Sequence, residues 1–153
     1  MRFKINYKEG TWFAIPLREG GYGVGVAARA KRACILAYLF GPRRESVPKL
    51  DEISMLKADS AVIVLRVGDL GLVNGKWPII GNAQSWNYSD WPMPVFFRRE
   101  VLPPFRKWRV YYSDTEPNKT IKEELESNER PDLSESGLYG SGAAEIKLTK
   151  LLS

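Results

Sequence analysis

The sequence predicts a mainly β, α+β protein, built as a twisted antiparallel sheet or an SH3-like partly open barrel with one or two short helices. Short segments rich in β-branched and aromatic residues recur along the chain, and glycine or proline separates them. This pattern is typical of strands joined by turns. With 153 residues the chain is long enough to bury a core of its own, so we expect residues 1–153 to form a single domain.

Seven segments have the composition of β-strands. In chain order they cover residues 11–17, 22–29, 33–40, 61–67, 77–81, 95–99 and 108–112. Gly20–Gly21 supplies the positive φ that a tight turn needs between the first two strands. Gly41–Pro42 is expected to end the third strand, which places Arg43–Arg44 in a loop. The fourth segment is apolar on both faces and is therefore predicted to be central in the sheet.

Helices are predicted in three places. Residues 47–56 place proline and acidic residues ahead of apolar residues with helical spacing. Ser141 is a candidate cap for a helix that runs to Leu152 with an apolar face. Residues 121–127 are expected to form one or two helical turns within an acidic segment, 113–140, that we predict to be mobile. Residues 69–76 contain two glycines and predict a loop.

Two glycines leave one face of the second predicted strand without side chains. Gly23 and Gly25 alternate with Val24 and Val26, so the opposite face of the strand can still pack. Two explanations are possible. The glycines allow the sheet to bend sharply or an aromatic ring to lie across them, or they allow the backbone of a ligand to approach closely. The structural explanation is favoured, because strand glycines commonly serve sheet curvature.

The residue composition argues against common catalytic and metal sites. The chain has no histidine and one cysteine, Cys34, which lies in an apolar segment and is expected to be buried and unreactive. Ser-His-Asp and Cys-His catalysis are therefore excluded, as are zinc sites with histidine ligands. The glycine-rich residues 20–25 lack the ending of a phosphate-binding loop. We predict no catalytic residue, no metal site and no cofactor.

Charge is distributed unevenly along the chain. The net charge is +5, with an excess of basic residues in 1–50 and of acidic residues in 114–135. This distribution fits a protein with two differently charged surfaces. No stretch of about 18 consecutive apolar residues occurs, and the N-terminus lacks the apolar core of a signal peptide. We therefore expect a cytoplasmic protein with no membrane partner.

Several motifs resemble those of the immunity protein 26 family. Residues 8–25 are similar to the family's opening pattern, Gly-Asp-x-Phe-Ala-Ile-Pro-Leu followed by Gly-x-Tyr-Gly-x-Gly, although Thr11 stands where an acidic residue is expected. Residues 75–82 are similar to its Trp-x-Ile-x-Gly segment, and the resemblance as a whole covers about residues 8–112. The residues that carry it are Phe13, Ile15, Pro16, Gly21, Tyr22, Gly23, Gly25, Trp77, Pro78 and Gly81.

The resemblance implies a bacterial immunity protein that binds and neutralises a cognate toxin of a polymorphic toxin system. Two sets of residues are candidates for contact with the toxin. They are the loop aromatics Trp86, Tyr88 and Trp91 and the acidic residues Glu123, Glu124 and Glu126. Aromatic residues commonly dominate protein interfaces, and the glutamates would suit a basic toxin such as a nuclease. The alternative for the tryptophans is a place in the core.

Two other functions are weighed against toxin binding. The same family name is also attached to phosphotriesterase activity, which would need a metal held by Asp51, Glu52 or Asp69. The absence of histidine counts against it. An RNA-binding SH3-like module would use the basic residues Arg98, Arg99, Arg106, Lys107 and Arg109. Any half-buried sheet gives the same alternation of aromatic and basic residues, so nucleic acid is not the expected partner.

Overall fold

Eight strands and three α-helices make up the part of the chain that the computed structural model describes, residues 5–128 and 133–153. The strands are β1 (Thr11–Pro16), β2 (Tyr22–Lys31), β3 (Cys34–Arg44), β4 (Ile63–Gly68), β5 (Ile79–Asn82), β6 (Phe96–Arg99), β7 (Lys107–Tyr112) and β8 (Thr120–Leu125). The helices are α1 (Leu50–Ile53), α2 (Leu70–Val73) and α3 (Ser141–Leu151). Single 3-10 turns cover Ala58–Ser60 and Tyr88–Asp90. The predicted mainly β, α+β fold is confirmed.

The strands form two antiparallel sheets. The larger has the order β4-β3-β2-β1-β5, and the smaller has the order β6-β7-β8. Over the described residues neither sheet closes into a barrel, so two open sheets replace the barrel alternative. In the β1–β2 hairpin, Ile15 lies opposite Gly23 and Pro16 lies opposite Tyr22. The sequence motifs of this hairpin therefore face each other across the ladder.

The larger sheet is buried on both faces, and an apolar cluster lies on each. On one face Leu65 packs in a cluster with Leu148 of α3. On the other face Val64 packs against a cluster that contains Phe96 of the smaller sheet and Ile53 of α1. Adjacent residues of β4 thus serve opposite clusters, as the side-chain alternation of a strand requires. The larger sheet is the middle layer of the molecule.

The predicted central position of 61–67 is wrong, because β4 lies at one end of its sheet. Its apolar character on both faces reflects the two clusters that cover the sheet, and these do not depend on strand order. Tyr139 forms a parallel bridge to Val67 beyond this edge, and its N–H donates to Arg66. This bridge provides backbone partners for part of the edge.

The third strand is longer than predicted, and the loop expected for Arg43–Arg44 is wrong. β3 continues through Gly41–Pro42 to Arg44, which pairs with Tyr22. The register shifts between this pair and the pair of Val24 with Phe40, so that residues 41–43 lie opposite one residue of β2. Proline cannot donate a ladder hydrogen bond, and a bulge is where a strand tolerates it.

Two other local predictions are wrong and one is refined. Residues 121–127 form no helix, because 120–125 pair with β7 as strand β8. Residues 70–73, expected in a loop, form α2. The C-terminal helix is confirmed, although Gly140 takes the cap position predicted for Ser141 and Leu151 remains 43% exposed.

The single domain and the mobility of 113–140 stay predictions. No described helix is both long and apolar enough to cross a membrane.

The glycines of β2 make room for side chains of the protein's own core. A Cβ atom added to Gly25 would lie 2.8 Å from the ring of Phe13 and 2.8 Å from Leu39. At Gly23 an added Cβ would collide with Leu148 of α3. The bare strand face is therefore filled by an aromatic ring and a helix, which confirms the structural explanation.

Candidate functional site

A groove of about 710 Å³ lies beside α1. Residues 54–59, which follow α1 and extend into the first 3-10 turn, form one wall. Residues between 83 and 91, together with Trp12 of β1, form the other. This volume is in the range of ligand-binding clefts. We call it the aromatic groove, because three of its lining residues are tryptophans.

Neighbouring aromatic rings hold Trp86 and Trp91 of the aromatic groove in place. Trp91 is only 7% exposed and packs edge-on against Trp12, Tyr38 and Phe40, with ring centroids 6.0, 5.0 and 6.2 Å away. Tyr38 also donates a hydrogen bond to the carbonyl of Pro92. The half-buried Trp86 is then stacked flat on Trp91, at 5.2 Å and 15°. Such packing fixes both indole rings before any partner binds.

The polar groups of the aromatic groove include charges without a partner. Asp59 and Asp90 are exposed lining residues, and neither forms an ion pair among the described residues. Lys57 also lines the groove and likewise has no ion-pair partner in that part of the chain. The indole N–H of Trp86 is buried with no acceptor there. The groove therefore combines an aromatic wall with a small excess of negative charge.

The motif residues form the framework that positions the aromatic groove. Phe13 stacks on Trp77 with ring centroids 5.6 Å apart and an angle of 9°, and the Trp77 indole N–H donates to Glu145 of α3 at 2.9 Å. On β5, Gly81 lies opposite Trp12. The carbonyl of Pro78 accepts the N–H of Ala14 at 2.8 Å. These contacts fix β1 between β2 and β5, and β1 carries Trp12 into the groove.

Comparison with known proteins agrees with this framework. The family model for immunity protein 26 matches residues 8–108, which is more than half of the chain. The chain belongs to the immunity protein 26 family. No curated protein and no solved structure matches it. The matched range contains the whole aromatic groove and all ten motif residues, and it leaves out β8 and α3. The family predicted from the motifs is thereby confirmed.

In this family member Tyr88 lies apart from the lining of the aromatic groove. Its ring lies 3.5 Å from the guanidinium carbon of Arg29, and its hydroxyl donates to the carbonyl of Asp114 at 2.7 Å. Arg29 is 1% exposed and donates to both the carbonyl and the carboxylate of Asp114. Burial raises the pKa of Tyr88, and the nearby guanidinium opposes this shift. Tyr88 thus ties the second 3-10 turn to β2 and the β7–β8 connection.

Arg29 also positions the site, although it is not among the site residues predicted from the sequence. Strict alternation from Ala27 would place Arg29 on the same face as Ala27. A register shift between these two residues instead aligns Arg29 with Leu36, which belongs to the opposite cluster. The shift turns the guanidinium towards Tyr88. A charged residue within the apolar segment of β2 was the available indication, but a bulge is not readable from side-chain alternation.

The three candidate glutamates lie on β8 and just beyond it, outside the lining of the aromatic groove. Each has a cation of its own within the family member. Arg98 donates two hydrogen bonds to Glu123, at 2.8 and 2.6 Å. Lys122 pairs with Glu124 at 3.0 Å, and Arg109 pairs with Glu126 at 2.5 Å. These cations lower the net charge that the glutamates present to a partner, and toxin contact by either candidate set stays a prediction.

The residues named for a phosphotriesterase do not come together. Asp51 and Glu52 belong to α1. Ile53 of this helix packs on the face of the larger sheet that the smaller sheet also covers. Asp69 precedes α2, whose Leu72 packs on the opposite face, and it accepts a hydrogen bond from Tyr7 at 2.7 Å. No group of three His, Cys, Asp or Glu side chains within the described residues is placed to hold a metal ion.

Three of the five basic residues named for RNA binding are paired with carboxylates. Arg98 forms an ion pair with Glu123, and Arg109 forms one with Glu126. Arg106 forms an ion pair with Glu100 at 3.1 Å. These three ion pairs leave less positive charge on the smaller sheet than its sequence indicates.

Cys34 is buried as predicted, and burial raises the pKa of its thiol. At neutral pH the thiol is therefore protonated and a weak nucleophile.

Proposed function

We propose that this family member binds a cognate toxin of a polymorphic toxin system in the cytoplasm and neutralises it by forming a stoichiometric complex. Membership of the immunity protein 26 family supports a toxin as the partner. The observation that carries the choice of surface is the stacked pair of Trp86 and Trp91 in the wall of the aromatic groove. We propose this groove as the centre of the toxin interface.

The rigid setting of the two tryptophans supports an interface role. Protein interfaces draw most of their binding energy from a few buried aromatic or arginine residues. A ring that is already fixed in the free protein loses little side-chain entropy when the partner binds. Met55, which lines the same groove, is 68% exposed and offers an adaptable apolar surface next to the rings.

Charge supports a basic toxin, such as a nuclease, as the class of partner. Nucleases need positive surface to hold phosphates. The carboxylates of Asp59 and Asp90 are free of ion pairs among the described residues and so can meet such a surface. The glutamates of β8 fit this purpose less well, because each already has a cation next to it.

The gene next to that of this family member is expected to encode a toxin domain, and this domain provides the test. Cells that express this domain should survive when the family member is co-expressed, and the two purified proteins should elute together as a 1:1 complex. Trp86→Ala should reduce protection. Phe105→Ala is the matched control, because Phe105 is an aromatic residue, 53% exposed, on the β6–β7 turn outside the groove.

Two results would count against the proposal in different ways. Absence of both protection and a complex would overturn toxin neutralisation. Loss of protection by Phe105→Ala, with Trp86→Ala unaffected, would instead place the interface at the β6–β7 turn, where Val101 and Leu102 are 88% and 71% exposed.

A further inference from the structure

We infer that the aromatic groove takes an arginine side chain of the toxin, which packs against the aromatic wall at Trp86 and pairs with the carboxylates of Asp59 and Asp90. This inference rests on the proposed function and specifies the chemistry of the residue that enters the groove. It is carried by the charges that line the groove, by the geometry of its aromatic wall and by the way this protein uses its own arginines.

The carboxylates come from separate elements that line one groove. Asp59 lies in the 3-10 turn after α1, and Asp90 lies in the 3-10 turn that ends before Trp91. Lys57 is the cation among the lining residues, so the groove carries an excess of one negative charge. The chain as a whole carries +5, which makes this excess a local departure from the overall charge. A positively charged side chain is the complementary occupant.

The protein's own arginines show how this chain combines a ring, a guanidinium and a carboxylate. The guanidinium carbon of Arg29 lies 3.5 Å from the centre of the Tyr88 ring while the same group pairs with Asp114. Arg98 pairs with Glu123 and lies 5.4 Å from the ring of Trp108. The aromatic groove has the ring and the carboxylates of this arrangement, and no arginine is among its lining residues.

Arginine fits the groove better than lysine or an apolar residue does. A planar guanidinium stacks on an indole ring and donates to carboxylates at its edge at the same time, whereas an ammonium group is a compact and strongly hydrated charge. An apolar side chain would bury the two carboxylates without a counter-charge, which opposes binding. A volume of about 710 Å³ also has room for the backbone on both sides of the inserted residue.

The test uses blocked tripeptides and needs no toxin. Acetyl-Gly-Arg-Gly-amide is titrated into the ¹⁵N-labelled protein, while the five indole N–H signals are followed at constant ionic strength. The lysine peptide and the citrulline peptide, which is neutral and nearly the same shape as arginine, are titrated in parallel. The Trp86 signal is assigned from its absence in Trp86→Phe.

The arginine peptide should shift the Trp86 signal in a saturable way. The affinity of the citrulline peptide should be lower by about tenfold or more. The double variant Asp59→Asn, Asp90→Asn should weaken arginine binding by about tenfold. Asp51→Asn is the matched control, because Asp51 is exposed on α1 outside the groove lining, and it should leave the affinity unchanged. If the double variant does not fold, each single variant repeats the comparison.

Several results would overturn the inference: no saturable shift, equal affinity for arginine and citrulline, equal affinity for arginine and lysine, or unchanged affinity in the Asp59 and Asp90 variants. Toxin protection without arginine binding would overturn this inference alone. Arginine binding without any toxin complex would overturn the proposed function alone. The two failures are therefore distinguishable.

Discussion

The indole of Trp86 lies flat on that of Trp91, at 5.2 Å and 15°, although only Trp91 belongs to the buried core. One ring supports the other. Trp91 is held by three further aromatic residues, and Trp86 transmits this rigidity to the lining of the groove. The pair therefore joins the core of the protein to its proposed interface, and the two residues should respond differently to mutation.

Truncation of the two tryptophans separates stability from binding. Trp91→Ala should lower the free energy of unfolding by about 3–5 kcal/mol, because it leaves a large cavity among packed rings. Trp86→Ala should cost less stability and should weaken toxin binding by about 2 kcal/mol or more, chiefly through faster dissociation. Urea denaturation and surface-plasmon kinetics measure the two effects.

Trp86→Phe is the control for the first residue. It keeps an aromatic ring and removes the indole N–H that has no acceptor among the described residues, so its stability should stay within about 1 kcal/mol of the original. Equal losses of stability in Trp86→Ala and Trp91→Ala would show that both rings are core residues.

The buried arginine of β2 should hold the second 3-10 turn in place. Arg29→Met keeps much of the side-chain volume and removes its contacts with Asp114 and Tyr88. We expect a loss of about 2 kcal/mol in stability, since charged hydrogen bonds are lost from a buried position. Hydrogen exchange of residues 88–90 should also become faster than in the rest of the protein.

Asp114→Asn separates the two parts of that arrangement. It keeps the backbone carbonyl that accepts from both Arg29 and Tyr88, and it removes a carboxylate whose side chain is 66% exposed. The loss of stability in Asp114→Asn should therefore be well below that in Arg29→Met. A larger cost for Asp114→Asn would show that the ion pair, and not burial of the guanidinium, fixes the turn.

Sequence patterns were sufficient where a strand obeys simple alternation. The β1–β2 hairpin follows from Gly20–Gly21 and from the apolar residues on either side, and its motif residues indicated the family. They failed where distant contacts decide the local structure. Residues 120–125 are mostly polar, and they form β8 because they pair with β7, a distant contact that their own composition does not indicate.

The aromatic groove was only half predictable. The density of tryptophan in residues 83–91 indicated a special role for that loop. Its other wall, residues 54–59, follows α1 and has no comparable signal in the sequence. The two walls meet only because α1 and the loop pack on the same face of the larger sheet. Such a juxtaposition depends on the topology of the whole chain and not on any local motif.

The bare strand face of β2 should not tolerate a methyl group. In Gly25→Ala the new Cβ would lie 2.8 Å from both the Phe13 ring and Leu39, and neither neighbour is at the free end of an exposed side chain. We expect a loss of about 1–3 kcal/mol in stability, measured by urea denaturation. Gly68→Ala is the control, because its new Cβ would meet no atom within 4 Å beyond its chain neighbours, and it should be nearly neutral. Similar losses at both positions would contradict the packing argument.

The ion pair between Glu123 and Arg98 should make stability depend on pH. Two hydrogen bonds from Arg98 hold the pKa of Glu123 below its usual value of 4.5. A carboxyl group whose pKa is lowered by folding stabilises the protein above its unfolded-state pKa, and this contribution is lost as the pH falls through the folded-state pKa. Glu123→Gln should therefore reduce stability at neutral pH and have little effect in strong acid.

The expected difference is small, because the side chains of Glu123 and Arg98 are 32% and 40% exposed and solvent screens their attraction. About 0.5 kcal/mol at pH 7, falling towards zero near pH 3, is the size that such pairs contribute. Urea denaturation at the two pH values measures it. Glu19→Gln serves as the control, since Glu19 is exposed and has no ion pair within the described residues, so its effect should be near zero at both pH values. A Glu123→Gln effect that does not change with pH would show that the side chain stabilises β8 by packing and not by its charge.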